Sequence, residues 1–217
     1  MTTLDDGGRA QGRRRVRSTV TRHRSSSRKR VVCICGMAGS GKSTLGKRLA
    51  ETYGLQYYSG GDALKALAVD VGFRRVNRGW WESAEGLQFL QRRARDPSFD
   101  KQIDQKLLER AAQGDVVLDS WTMPWLYQNG FKVWLEASPE ERARRVAGRD
   151  GISVAKALTA IQEKDAGTKA IFQRLYGFSL GEDFEPFDLV LDVNALEPDE
   201  VFHALVQLLN RLLYMAR

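Results

Sequence analysis

The sequence predicts an α/β domain in which a parallel sheet of about five strands carries helices on both faces. Three observations predict it. Short apolar runs alternate with helical patterns from residue 31 onward, the order that produces a parallel sheet covered on both sides. Val31-Val32-Cys33-Ile34-Cys35 is an apolar run with the length of a buried strand. It leads into Gly36-Met37-Ala38-Gly39-Ser40-Gly41-Lys42-Ser43, which fits G-x-x-x-x-G-K-[ST], and then into a stretch with Leu45, Leu49 and Ala50 at helical spacing.

Strand, glycine-rich turn and helix N-terminus together aim backbone N–H groups at anionic oxygens. The segment is therefore read as the phosphate loop of a P-loop NTPase fold that binds a nucleoside triphosphate. Gly36, Gly39, Ser40, Gly41 and Thr44 are expected to wrap the phosphates, Lys42 to neutralise the β- and γ-phosphates, and the Ser43 hydroxyl to ligate Mg²⁺.

The elements follow in order. Strand 31–35 is followed by a helix over 44–53 and a strand over Gln56–Ser59. A polar, mostly helical region runs from about 62 to 113, and strands are expected at Val116–Asp119 and Lys132–Glu136. Ser138-Pro139-Glu140-Glu141 has Ser at the N-cap, Pro at the first helical position and Glu at the third, a helix start. Another helix is expected after Ser153, then a strand over Leu189–Asp192. A closing helix from about Pro198 to Met215 is predicted to turn Val201, Leu205, Leu208, Leu209 and Leu212 to one side.

The chain has 217 residues, room for one domain with small insertions, and no run of 18 apolar residues that would cross a membrane. Its net charge of +7 is uneven: residues 1–30 hold ten Lys/Arg against two Asp, and the remainder holds 24 basic against 25 acidic residues. Residues 1–30 read as a disordered basic tail, with almost no large apolar side chains to order it. It lacks the apolar core of a secretory signal. It is a candidate for contact with RNA or DNA, for a transit peptide, or for an inert solvated arm. A cytoplasmic protein is the expectation, supported by cysteine usage: Cys33 and Cys35 are read as buried free thiols, expected on opposite faces of the first strand. His23 and His203 have no ligand-like companions.

Asp119 ends an apolar strand, where an acidic residue is placed to hold Mg²⁺ directly or through water. Arg142, Arg145 and Arg149 recur at helical spacing and share a face. Residues 73–95 mix cations with aromatics. They suit an amphipathic segment with Trp81, Leu87, Phe89 and Leu90 inward and arginines outward, and equally a surface that stacks on bases.

Three further segments carry a family resemblance. Ser59-Gly60-Gly61-Asp62 resembles the Ser-x-Gly-Asp that opens the acceptor region of cytidylate kinases, particularly the short archaeal-type ones. Asp100 to Asp119, with Asp-x-x-x-Asp ahead of Gly-Asp-Val-Val-Leu-Asp, resembles their helix leading into the third strand. Arg142-x-x-Arg145-x-x-x-Arg149-Asp150-Gly151-Ile152-Ser153, with Tyr176-Gly177 and Phe187 to Leu191, is similar to their lid and last strand.

The resemblance spans about residues 31 to 210 and implies a P-loop nucleoside monophosphate kinase. ATP·Mg²⁺ would donate its γ-phosphoryl to CMP or dCMP, with an acceptor region over about 60–113 and a lid over about 138–178. It implies Lys42, Asp119, Arg145 and Arg149 in catalysis and Arg142 on the donor. On the acceptor it implies Ser59, Gly61, Asp62, Lys65, Asp104, Trp121 and Lys164. The departures fall on the acceptor side. Lys65 stands where the family has Arg, Asp119-Ser120-Trp121 replaces Glu-Gly-Arg, and the lid's basic pair reads Lys164 and Ile171. A lysine keeps the charge but loses the fork suited to phosphate. A kinase for another acceptor, or an RNA-associated ATP-binding factor, is the alternative.

Overall fold

A computed structural model describes residues 29–76 and 79–214, with side chains as far as Arg211. The basic tail up to residue 28 and Arg78 of the 73–95 segment lie outside the described residues, as does the side chain of Leu212. Five parallel strands, β1 (Val31–Cys35), β2 (Gln56–Ser59), β3 (Val116–Asp119), β4 (Phe131–Glu136) and β5 (Leu189–Asp192), form one sheet in the order β2-β3-β1-β4-β5.

One face of the sheet packs Val32, Ile34, Val117 and Leu135 against α1 (Lys42–Tyr53) and α8 (Pro198–Tyr214). Val201, Leu205 and Leu209 fill that seam. Leu208, expected beside them, is 39% exposed because it sits one residue, about 100°, off the packed stripe. The other face carries Val31, Cys33, Val116 and Leu118 under α2 (Gly60–Asp70), α3 (Ala84–Arg95) and α4 (Ser98–Gln113). Cys35 lies on this same side, among Trp134, Ile171 and Phe172. This corrects the expectation of opposite faces for the two cysteines, since residues two apart on a strand share a face. Both thiols are free and buried, and burial pushes the Cys33 thiol up to about 12.

Helix α1 starts at Lys42, two residues earlier than predicted. Gly41, at φ 98°, takes the left-handed cap position that puts Lys42 and Ser43 in the first turn. The region expected to be helical from about 62 resolves into α2, a 3₁₀ turn (Trp80–Glu82), α3 and α4. The Ser59 hydroxyl caps α2 by accepting from the Asp62 backbone N–H, so the Asp62 carboxylate is not the cap. Arg93, expected outward with its neighbours, is fully buried on the inward face of α3. A short α5 (Met123–Leu126) follows β3. Helices α6 (Pro139–Asp150) and α7 (Val154–Tyr176) form a hairpin closed by Ala143, Val146, Ala157 and Ile161.

Candidate functional site

The site opens at the C-terminal ends of the strands, where helix N-termini and strand-end side chains converge in open α/β sheets. Between β1 and α1 the loop backbone demands glycine. Gly36 has φ 141°, and a Cβ there would sit 2.5 Å from the Leu135 carbonyl; at Gly39 (φ 84°) it would sit 2.9 Å from the Arg142 carbonyl. The loop is thus seated against β4 and α6 with no room for side chains. Lys42 Nζ donates to the Met37 carbonyl at 2.9 Å, curling back over the loop. Burial in the cleft lowers its pKa, opposed by the charge of Asp119.

Ser43 Oγ donates to Asp119 Oδ2 at 2.6 Å, and the Tyr57 hydroxyl donates to the same oxygen at 2.9 Å. Register explains the meeting: Asp119 pairs with Ile34 of β1 and Ser59 of β2, at the last rung of three adjacent strands. A hydroxyl and a carboxylate so close are two hard oxygen donors that fit Mg²⁺. No group of three or more His, Cys, Asp or Glu side chains that would hold a metal occurs among the described residues. Phosphate oxygens and water would therefore complete the shell.

Two cavities flank the loop. One, about 670 Å³, runs from the loop and the first turn of α1 past Arg145 to Val193, Asn194 and Pro198. Ser40, Gly41 and Thr44 line this donor-side cavity. The other, about 600 Å³, is walled by the N-terminus of α2, Trp80, Trp81, Trp121 and Lys164, with Arg93, Asp100 and Asp104 at its floor. Ser59, Gly61, Asp62 and Lys65 line the same acceptor-side cavity. Gly39, Lys42, Ser43 and Arg149 line both, so the two chambers join at the loop lysine.

The three arginines of α6 lie at three depths. Arg142, expected on the donor nucleotide, is 5% exposed and is not among the residues lining either cavity. Its guanidinium bonds the carbonyls of Ala38 and Ala137 (both 3.1 Å) and Asp165 (2.7 Å), bracing the loop from beneath. Arg145 reaches the Glu141 carboxylate (3.0 Å) and the Val193 carbonyl (2.6 Å), and all three residues line the donor-side cavity. Arg149 bridges Asp150 (2.6 Å) and Glu82 (3.3 Å), joining the α6–α7 hairpin to the 3₁₀ turn.

On the acceptor side Asp62 and Lys65 face each other at 3.6 Å. Asp104 accepts from Thr122 and Tyr176 hydroxyls, each at 2.5 Å; burial pushes its carboxyl up to about 6, against those two hydrogen bonds. The Trp121 indole N–H donates to the Gly36 carbonyl at 2.6 Å. Lys164 Nζ lies over the Trp81 and Trp121 rings, 4.6 and 5.4 Å from their centroids. Sequence reasoning assigns no site role to Tyr57, which bonds Asp119, or to Glu82 and Arg93, which line the acceptor-side cavity and pair with Arg149 and Asp100 (2.5 Å). These residues come from separated elements and leave no contiguous motif. The Arg-Arg-x-Arg run at 92–95 was the available signal for Arg93, but a charge run is ordinarily a solvated face.

Among solved structures, an uncharacterized protein from Eubacterium ventriosum superposes with a TM-score of 0.54 at 17% identity, covering 84% of this chain and 99% of that one. Shikimate kinase from Bacteroides thetaiotaomicron gives 0.51 at 18% identity, covering 86% and 99%. At such identities these likenesses concern the fold. In sequence, cytidylate kinase of Ignicoccus hospitalis is 35% identical over 182 residues, covering 82% of this chain and 98% of the relative. Cytidylate kinase of Pyrococcus horikoshii is 32% identical over 176 residues, covering 80% and 85%. Residues 31–195, from the first strand to just past the last, match the model of the cytidylate kinase-like family, and the chain belongs to that family.

Proposed function

We propose that this chain is an ATP-dependent nucleoside monophosphate kinase that passes the γ-phosphoryl of ATP to CMP or dCMP. The observation that carries the reading is the junction of two cavities at Gly39, Lys42, Ser43 and Arg149. A donor nucleotide in one chamber and an acceptor in the other would meet at a lysine and an arginine, the charges that a transferring phosphoryl group requires.

In this reading an acceptor phosphate oxygen forms the new bond to the γ-phosphorus while the β–γ bridging bond breaks and ADP leaves. The loop amides and Lys42 hold the donor phosphates. Arg149 spans the transfer point, and Arg145 holds the base end of the donor. Ser59, Gly61, Asp62 and Lys65 border the acceptor at the start of α2, and Asp104 reads it from the floor. Ser43 and Asp119 would hold Mg²⁺, which supplies positive charge between the phosphates. Arg149 and Lys164 bring the α6–α7 hairpin to the cavity wall, and its closure over the substrates would exclude the water that diverts the phosphoryl group to hydrolysis. No described helix is long and apolar enough to cross a membrane.

The test is ADP release from ATP·Mg²⁺ alone and with CMP, dCMP, UMP, AMP or GMP added singly. Stimulation by CMP or dCMP, with the diphosphate appearing, is the expected result. Acceptor-independent hydrolysis, or silence with all five, would refute it.

A further inference from the structure

Most cations of the acceptor-side cavity already have an oxygen partner. Lys65 has Asp62, Arg93 has Asp100, Arg149 has Asp150 and Glu82, and Lys42 has the Met37 carbonyl. Lys164 is 7% exposed and lines the cavity, yet among the described residues no hydrogen bond or ion pair ties its ammonium to oxygen. What it has is aromatic faces, Trp81 at 4.6 Å and Trp121 at 5.4 Å. The Trp121 ring also lies 5.6 Å from Lys42 Nζ, while its N–H is tied to the first loop glycine. One indole therefore faces the loop and two lysines, Lys42 at the junction of the cavities and Lys164 on the acceptor side. The negative face of a desolvated ring favours an ammonium in its charged form.

Resting on the reading as a monophosphate kinase, we propose that Trp121, with Trp81 opposite, is a positioning residue that keeps Lys164 charged and unpaired in the cleft as the anchor for the acceptor's phosphate. An aromatic holder suits this task where a carboxylate would not, because it stabilises the cation without neutralising it. Lys164 is absent from the donor-side cavity, which places its anion on the acceptor side.

The electrostatic surroundings make the device sensitive to pH. Burial lowers the Lys164 pKa to about 8, with Glu82 of the 3₁₀ turn opposing and Lys42 of α1 assisting. Asp165 beside it on α7 opposes and Arg149 of α6 assists. Arg93 of α3 and Asp119 at the end of β3 line the same cavity. Above about pH 8 the free enzyme loses this charge, so acceptor capture falls as pH rises.

The experiment is kcat/KM for CMP at saturating ATP from pH 6.5 to 9.5, for the wild type, W121F and W121L. Removing the ring face should move the alkaline limb of W121L down by about one pH unit and raise the KM for CMP. W121F keeps a ring and should restore the limb while losing the tie to Gly36. A W121L limb that coincides with the wild type would overturn the inference and leave the kinase reading intact. If W121L does not fold, W81L removes the other face and carries the same expectation. No turnover of the wild type with any monophosphate would overturn both.

Discussion

The donor and acceptor sides of the cleft are built by different means. The phosphate end of the donor side is mostly backbone: one loop, held down by Arg142 and by Gly36 and Gly39, which have no room for a side chain, presenting N–H groups and Lys42. The acceptor side is mostly side chains, drawn from α2, the 3₁₀ turn, α3, α4, the end of β3 and α7. A backbone cradle recognises any phosphate that reaches it and survives only one local sequence pattern. A side-chain chamber can be rewritten one residue at a time without disturbing the sheet. The departures from the family pattern that the sequence resemblance implies, at Lys65, Ser120-Trp121 and Ile171, concern this side, where rewriting costs least.

The largest break in that comparison is expected at Lys42. Lys42→Ala should reduce kcat by about 10³-fold with little change in the urea midpoint, because it removes charge from the transfer point and leaves the loop backbone standing. Retained turnover would mean that the transferring group lies elsewhere.

Next comes the chamber floor. Arg93→Met leaves Asp100 buried and uncompensated and should cost about 3–5 kcal/mol in urea unfolding. Adding Asp100→Leu should recover most of that loss, since a packed apolar pair replaces a buried ionic one at little cost. A double variant as unstable as the single one would show that the pair supports the fold through other contacts.

Asp104 offers a smaller effect of opposite sign. Its carboxyl is raised from 3.8 to about 6, so the stability it contributes is fully present below pH 3.8 and is lost as pH rises to about 6. At pH 7 the buried charge opposes folding by about 2–3 kcal/mol. Asp104→Asn should therefore raise the melting temperature at pH 7 and lose that advantage towards pH 4, while lowering kcat/KM for CMP about tenfold. A stabilised variant with unchanged acceptor kinetics would place Asp104 in the scaffold alone. The smallest effect is expected at Lys65. Its pair with Asp62 is half exposed and 3.6 Å long, so Lys65→Ala should change stability by less than about 0.5 kcal/mol. The KM for CMP should rise only a few-fold; a larger rise would make Lys65 a main phosphate ligand beside Lys164.

How much of this was legible in the sequence follows the same division. Strands β2, β3 and β5 lie where the apolar runs placed them, and Ser138 and Ser153 cap the helices they were read to open. These signals are local, set by alternation, capping chemistry and turn residues within a few positions. Legibility fails where periodicity gives a face but not a depth. Arg142, Arg145 and Arg149 share a helical face, yet one is buried under the loop, one reaches Val193 and one bridges to Glu82. Arg93 reads as solvated from its charged neighbours and is fully buried because Asp100, one helix later, meets it.

From the sequence alone came the alternation of elements, the phosphate loop with its lysine and serine, and the acidic strand end that faces them. Each depends on the chain's own neighbours along the backbone. Tertiary structure alone decided the acceptor chamber: the Trp81–Lys164–Trp121 contact, the carboxylates lining it, and the bracing of the loop by the buried Arg142. Those placements join residues tens of positions apart, and their energies come from burial and from charges meeting at low dielectric. Neither quantity exists until the helices have packed onto the sheet.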